Sequence, residues 1–261
     1  MSSLHELVRY RDLLYMLTWR DICIRYKQSI FGILWVILMP AMIVLAGVVV
    51  KTALAMVSGS EVVHRNLALI AVKAVPWALF VASIRVCTNC LVGNANLVTK
   101  IKFPKMILPI SAVLSQLFDF AIACMALSVL LVFLGNGLSF TVLWVPVLIV
   151  LLLMQVIGVG MFLASACLFY RDVRHVVELF LTFGIFFTPI FYEVSLFKEY
   201  GDLLLLNPVA PILEGLGTAV VDRSAPNLAW LGYSLAWAVV GLVGSGVLGV
   251  IAAFAGAPVA H

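Results

Sequence analysis

An all-α polytopic membrane fold is what this sequence predicts: six transmembrane helices, an N-terminal amphipathic interface helix, and a re-entrant helical hairpin before the last span. Three observations carry the prediction. Of 261 residues, 64% are hydrophobic and only 11% charged; a soluble domain carries about 25% charged residues and needs polar cover for its surface. The apolar residues come in long runs, most of them beyond the roughly 20 residues that cross a hydrocarbon core, with short charged islands between them. Lys and Arg crowd into alternate islands, the asymmetry that orients membrane helices.

Residues 1–30 read as a cytoplasmic interface segment. Over 4–26, Leu7, Tyr10, Leu14 and Leu17 recur at helical spacing while Arg9, Arg11, Asp12, Arg20 and Asp21 supply polar positions, a pattern that suits a helix lying in the membrane interface or a solvated helix ahead of the first span. This start lacks the basic head, apolar stretch and small-residue cleavage site of a signal peptide. Residues 31–261 form the transmembrane domain, with spans at about 33–57, 67–92, 106–134, 140–169, 176–192 and 228–254. The fifth is at the lower limit of spanning length.

An even number of spans puts both termini on one side. That side carries Arg9, Arg11, Arg20, Arg25 and Lys27, then Lys100, Lys102 and Lys105, then Arg171 and Arg174. The other side carries Arg65, Lys198 and Arg223 among Glu61, Glu193, Glu199, Asp202 and Asp222. Ten basic residues against three place both termini in the cytoplasm, with the chain in the cytoplasmic (inner) membrane.

Between the fifth and sixth spans lies a stretch unlike a loop. Leu203–Leu206 is apolar, Asn207-Pro208 interrupts, and 209–221 is apolar again except for Glu214. Each piece is too short to cross, which suits a re-entrant hairpin over 203–221 punctuated by Pro208 and Pro211. The alternative is an amphipathic pair of helices resting on the outer leaflet.

The missing chemistry is informative. There is no G-x-x-x-x-G-K-[ST] phosphate loop, no H-E-x-x-H and no G-x-S-x-G, so no catalytic residues and no metal ligands are assigned. His5, His64, His175 and His261 are scattered, and the modest net charge of +4 without a basic stripe argues against nucleic acid. Cys87 and Cys90 form a C-x-x-C inside an apolar run with no second pair; they read as small buried residues rather than a zinc or redox site. A charge at mid-bilayer costs about 2.5–3.5 kcal/mol and must face protein or water. Lys51 and Lys73, near the outer ends of their spans, are expected to snorkel. Arg85 and Asp119 lie deeper on neighbouring spans and are expected to pair. Trp35, Trp77, Phe187, Phe191 and Tyr192 are either interfacial anchors or surfaces along a transport path.

The motifs in the charged islands resemble a known family. Arg20-Asp21-Ile22-Cys23-Ile24-Arg25-Tyr26-Lys27-Gln28-Ser29 with Phe31-Gly32-Ile33-Leu34-Trp35 resembles the entry to the first span of ABC-2 type permeases, the membrane subunits of polysaccharide and polyol-phosphate exporters. Asn96-Leu97-Val98-Thr99-Lys100-Ile101-Lys102-Phe103-Pro104-Lys105 is similar to that family's loop between the second and third spans, and Tyr170-Arg171-Asp172-Val173-Arg174 to its next cytoplasmic turn. Asn207-Pro208 with Glu214-Gly215 is similar to its late extracytoplasmic segment. The matches keep the family's order across 20–217. The almost chargeless end, Ala252 to His261, departs from the charged tail usual in the family.

The resemblance implies the permease of an ATP-driven exporter of a lipid-linked polysaccharide of the O-antigen, capsule or teichoic acid class. It implies a homodimer with two copies of a cytoplasmic ATP-binding subunit, which would hold ATP and Mg; this chain needs no cofactor. Asn96, Lys100, Lys102, Phe103, Pro104, Arg171, Asp172 and Arg174 are then the candidates for ATPase coupling. Asp21, Arg25, Tyr26 and Lys27 stand at the inner headgroup level, where Arg25 and Lys27 either attract a lipid-linked pyrophosphate or simply orient the chain. Trp35, Phe187, Tyr192, Asn207, Pro208 and Glu214 are candidates for the conduit or its gate. The rival readings are an ion-coupled secondary transporter using Asp119 or Glu214, and a membrane-embedded transferase, which the missing catalytic cluster disfavours.

Overall fold

The computed structural model describes residues 9–27, 32, 34–58, 64–100, 103–135, 137 and 139–254. Residues 1–8 of the expected interface helix, parts of the first-span motif at 28–31 and 33, Lys102, and the end of the tail at 255–261 lie outside the described residues. Among those described, all regular elements are helical. They are α1 (Arg11–Lys27), α2 (Leu34–Ser58), α3 (His64–Gly93), α4 (Ala95–Lys100) and α5 (Ile107–Phe133). After these come α6 (Trp144–Phe169, led in by a 3-10 turn at Phe140–Leu143), α7 (Val173–Gly184), α8 (Gly201–Leu205), α9 (Ala210–Val220) and α10 (Leu228–Phe254).

Five helices, α2, α3, α5, α6 with its lead-in, and α10, are long and apolar enough to cross a membrane, and their ends fall within a few residues of the boundaries expected from hydropathy. The fifth expected span differs. Only α7 is helical there, 12 residues or about 18 Å at the helical rise, short of a hydrocarbon core of about 30 Å. Turns follow from Ile185 to Ile190. Its contacts nevertheless climb the whole of α3: Glu178 meets Arg85, Gly184 faces Trp77, the Pro189 carbonyl meets Lys73 and Glu193 meets Arg65. From Arg85 to Arg65 along α3 is about 30 Å.

The expected face of Tyr10, Leu14 and Leu17 packs against the bundle, and α1 carries further apolar residues on other faces. Its apolar residues do not form one stripe. Leu17 is buried, with Tyr10, Leu13 and Leu14 beside it against the inner ends of α3 and α5, while Tyr15, Met16, Trp19 and Ile24 are exposed. Its partners climb α5, because Leu17 shares a core cluster with Ile107 and Leu108 and Arg25 reaches Ser115, Gln116 and Asp119. The helix thus leans along the third span with apolar residues on both sides.

The core of the bundle is α3 and α6. In lipid, helices associate by close packing rather than by a hydrophobic force, so small residues set the approach. Gly158 of α6 is the contact with the last span: a Cβ there would lie 2.8 Å from the Gly241 carbonyl carbon. About half a turn on, on the other side of α6, a Cβ on Gly160 would lie 2.9 Å from the Cys87 Cβ, so the small buried Cys87 of α3 packs there. The C-x-x-C is packing, as its isolation in the sequence suggests.

The glycine contact is asymmetric and gives a paired test. Gly158→Ala forces backbone apart and is expected to cost about 1–3 kcal/mol, seen as a lowered melting temperature of the purified protein in detergent. Gly241→Ala meets its neighbours at 3.6 Å or more and is expected to leave the melting temperature nearly unchanged.

Candidate functional site

At the end of the bundle that carries the N-terminal helix, α1 is fastened to α3 and α5. Arg20 Nη2 donates to Asn94 Oδ1 at 3.0 Å and to Asp21 Oδ1 at 2.8 Å, which ties α1 to the end of α3. Arg25 Nη1 donates to Asp119 and to Gln116 Oε1 (3.4 Å), and Nη2 to Ser115 Oγ (3.3 Å). The Tyr26 hydroxyl donates to the other Asp119 oxygen; burial and the neighbouring Asp119 push its phenol well above the usual range, so it stays a donor. These groups close one end of a cavity of about 340 Å³ whose walls are otherwise apolar, among them Trp35, Val75, Ala78 and Ala82. Lys27 is exposed.

Asp119 therefore does not pair with Arg85. Arg85 Nε and Nη2 reach Glu178 Oε1 and Oε2 at 2.7 and 2.9 Å, a two-point contact between α3 and α7. Sequence adjacency of the second and third spans suggested the wrong pair because Arg85 turns toward the fifth segment instead, and because Arg25 enters from α1. Both guanidiniums find a carboxylate, half-buried for Arg25 and exposed for Arg85, through elements that sequence order does not make neighbours.

The two islands assigned to coupling share a base. Leu97, Val98 and Phe103 from one, and Leu168 and Val173 flanking the other, pack on a single apolar cluster that includes Leu91, Ile107, Leu108 and Ala164. Asn96 and Lys100 of the first island are exposed, Phe103 and Pro104 half-buried; Arg171, Asp172 and Arg174 of the second are exposed. The Asp172 carbonyl accepts from His175 N and Val176 N and so starts α7. Two basic turns thus stand at one end of the bundle on one packed platform.

At the opposite end, Glu193 and Asp222 close on the same guanidinium: Arg65 Nη1 lies 3.2 Å from Glu193 Oε1 and Nε 2.8 Å from Asp222 Oδ1. The chain from 193 to 222 leaves and returns at one level. Its interior reaches far from that level, because the Pro208 carbonyl accepts from Gln155 Nε2 (2.9 Å) and Ser234 Oγ (2.8 Å). Gln155 is about 16 Å along α6 from Trp144. Asn207 Nδ2 donates to Thr188 Oγ1 at 3.0 Å, and its Oδ1 accepts from Val209 N. Helix α9 is buried along Ala210, Ile212, Leu213, Leu216 and Ala219.

Glu214 on α9 meets Lys73, whose Nζ lies 2.8 Å from Glu214 Oε1 and donates to the Pro189 carbonyl at 3.1 Å. The Lys73 side chain is 1% exposed, so it does not snorkel. A Lys pointing at an unwound carbonyl and a carboxylate is held where it is. Lys51 stays closer to the outer charges, 3.9 Å from Glu193.

The aromatic candidates divide. Trp77 is buried and stacked on Phe80, and Phe191 is buried. The Tyr192 hydroxyl donates to the Phe186 carbonyl at 2.8 Å, a structural bond. Phe187, in the turn after α7, is 70% exposed, Phe180 and Phe183 on α7 itself are exposed as well, and Trp35 borders the cavity closed by Arg25 and Asp119. Sequence reasoning missed Gln155, Ser234, Asn94 and Gln116. Their only signal was a polar side chain within or beside an apolar helix.

Removing one member of the inner clamp leaves the other charged and half-buried. Arg25→Ala is expected to destabilise the protein by about 1–3 kcal/mol, and Arg25→Ala with Asp119→Asn by less than Arg25→Ala alone. The same cycle on Arg85 and Asp119 is expected to show no coupling, in thermal melts of the purified protein.

Comparison with known proteins agrees with this layout. Residues 12–220 match the family model described as ABC-2 type transporter. The chain is 27% identical over 246 residues to a protein of Myxococcus xanthus named O-antigen export system permease protein RfbA, covering 89% of this chain and 92% of that one. A Klebsiella pneumoniae protein of the same name is 26% identical over 204 residues, 77% of each chain. With the match running from α1 through the end of α9, this multi-pass membrane chain belongs to the ABC-2 type transporter family.

Proposed function

We propose that the chain is the membrane-spanning permease of an ATP-driven exporter that moves a lipid-linked polysaccharide outward across the cytoplasmic membrane. The observation that carries this reading is the family match together with two basic turns on one packed platform at the inner end. Such a platform transmits a partner's movement to α3, α5, α6 and α7 as rigid tilts. ATP and Mg belong to the partner, a cytoplasmic ATP-binding subunit present in two copies against a homodimer of this chain. The O-antigen names of the relatives favour that cargo class over capsule or teichoic acid.

In this reading the chain crosses six times, with α7 and the turns after it as the fifth crossing, and both termini are cytoplasmic. The segment 193–222 is the re-entrant hairpin, with Asn207-Pro208 at its deep end. The exposed face of α7 with Phe180 and Phe183, beside the Arg85–Glu178 pair, and the exposed Phe187 in the turn after it are the candidate conduit wall. Arg25 is neutralised by Asp119, so attraction of a lipid-linked pyrophosphate falls to Lys27. The ion-coupled alternative is disfavoured, since Asp119 and Glu214 each already hold a cation.

Site-directed photo-crosslinkers at Lys100 and Arg174 are expected to capture an ATP-binding subunit in intact membranes, and that subunit is expected to co-purify. Crosslinks from both positions to lipid alone, with the complex intact, would remove the coupling assignment.

A further inference from the structure

The inner cavity continues outward. It shares Pro40, Val75 and Ala123 with a second, smaller apolar cavity that ends among Val44, Ala71 and Leu130. Together they form one groove between α2 on one side and α3 and α5 on the other. From Trp35 to Val44, and from Asp119 to Leu130, the groove rises about 14–16 Å at the helical rise. That is half of a hydrocarbon core of about 30 Å, the depth of one leaflet.

The groove is polar only at its inner end, where Arg25, Tyr26, Gln116 and Asp119 stand. The first span begins there, at Leu34, so this end is at the inner headgroup level. Alanines make the space: Ala78, Ala82 and Ala123 line it, while Trp35 and Met39 on α2 stand half-exposed at its lip. Helix α2 otherwise has little protein against it, with 11% of its spanning window buried.

We propose that this groove is a site for one acyl chain of an inner-leaflet glycerophospholipid, which seats α2 against α3 and α5. The chemistry of the inner end selects this occupant over the polyprenyl carrier of a cargo. The Arg25 guanidinium is already matched by Asp119 and hydrogen-bonded to Gln116 and Ser115, so the end is close to neutral. It suits a zwitterionic headgroup: among the described lining residues no cation is left unmatched for a pyrophosphate, and the exposed Lys27 is not part of the lining. The inference rests on the proposed topology, with the N-terminal end of the bundle on the inner side, and does not depend on the transported molecule.

The test uses the full chain in nanodiscs, with any subunit that co-purifies, and a phosphatidylethanolamine carrying a diazirine on its acyl chain. After photolysis, labelled peptides are mapped by mass spectrometry. Saturable labelling is expected on the peptides containing Met39, Ala82 and Ala123. Ala82→Phe or Ala123→Leu, each filling the groove, is expected to cut that labelling about tenfold, the effect of excluding two buried methylenes. Labelling at the lipid-facing Val129 and Val132 should not change. Should both variants misfold, dilution with unlabelled phosphatidylethanolamine decides the matter in the wild type. Non-saturable labelling, labelling that survives in a folded filled variant, displacement by a polyprenyl pyrophosphate at equal mole fraction, or α2–α2 crosslinks from Met39 in place of lipid would each overturn the proposal.

Discussion

Within a hydrocarbon core, a backbone carbonyl or amide that finds no partner in the protein finds none at all, and the irregular half of this chain is organised around that constraint. After α7 the backbone unwinds, and after α8 it turns at Asn207-Pro208. Both places expose carbonyls that a helix would have satisfied. Lys73 serves Pro189, Tyr192 serves Phe186, Gln155 and Ser234 serve Pro208, and the Tyr233 hydroxyl serves Leu206 at 2.8 Å. Thr141 Oγ1 closes the far end of α9 on the Ala219 carbonyl at 2.6 Å. Lys73 is the centre of the set because it also holds Glu214. Loss of one partner from a buried pair costs about 3–5 kcal/mol, so the position of α9 is strongly fixed relative to α3.

That stiffness bears on how a permease of this shape moves. A hairpin bonded to α3, α6, α10 and the turn after α7 is a poor candidate for a freely swinging gate. The inner platform is equally continuous, with α1 fastened to α3 through Arg20 and Asn94 and to α5 through Arg25 and Asp119. In the proposed exporter, motion entering at the basic turns would be carried by whole helices shifting against one another. The least packed of the spans is α2, whose helix contacts run to α3 and α5.

Much of the fold was legible in the sequence because lipid imposes a simple length rule. Runs such as 140–169 and 228–254 end where the helices end. The fifth segment was not legible as a 12-residue helix, since hydropathy reports apolar length and Ile185–Tyr192 is as apolar as a helix would be. The two short helices on either side of Asn207-Pro208 were legible from apolar pieces too short to cross. The charge partners were not. Arg85, Asp119, Lys73 and Glu214 were each visible as costly charges in apolar surroundings, but pairing depends on which helix faces which, and sequence order suggested Arg85 with Asp119 where three-dimensional packing put Glu178 and Arg25. The polar residues that satisfy unwound backbone, Gln155 and Ser234 above all, looked like ordinary isolated polar positions.

The central claim is that the chain between the fifth and sixth crossings enters the membrane from the outside and returns there, held by side chains that replace its lost backbone bonds. The most direct measurement places single cysteines at Lys198 and Asp222 in a background free of Cys23, Cys87, Cys90, Cys124 and Cys167, and adds a membrane-impermeant thiol reagent to intact cells. Labelling of both positions from the outside is the predicted result. Labelling from opposite sides would mean that the segment crosses, and would overturn the hairpin, the crossing number and the cytoplasmic C-terminus together.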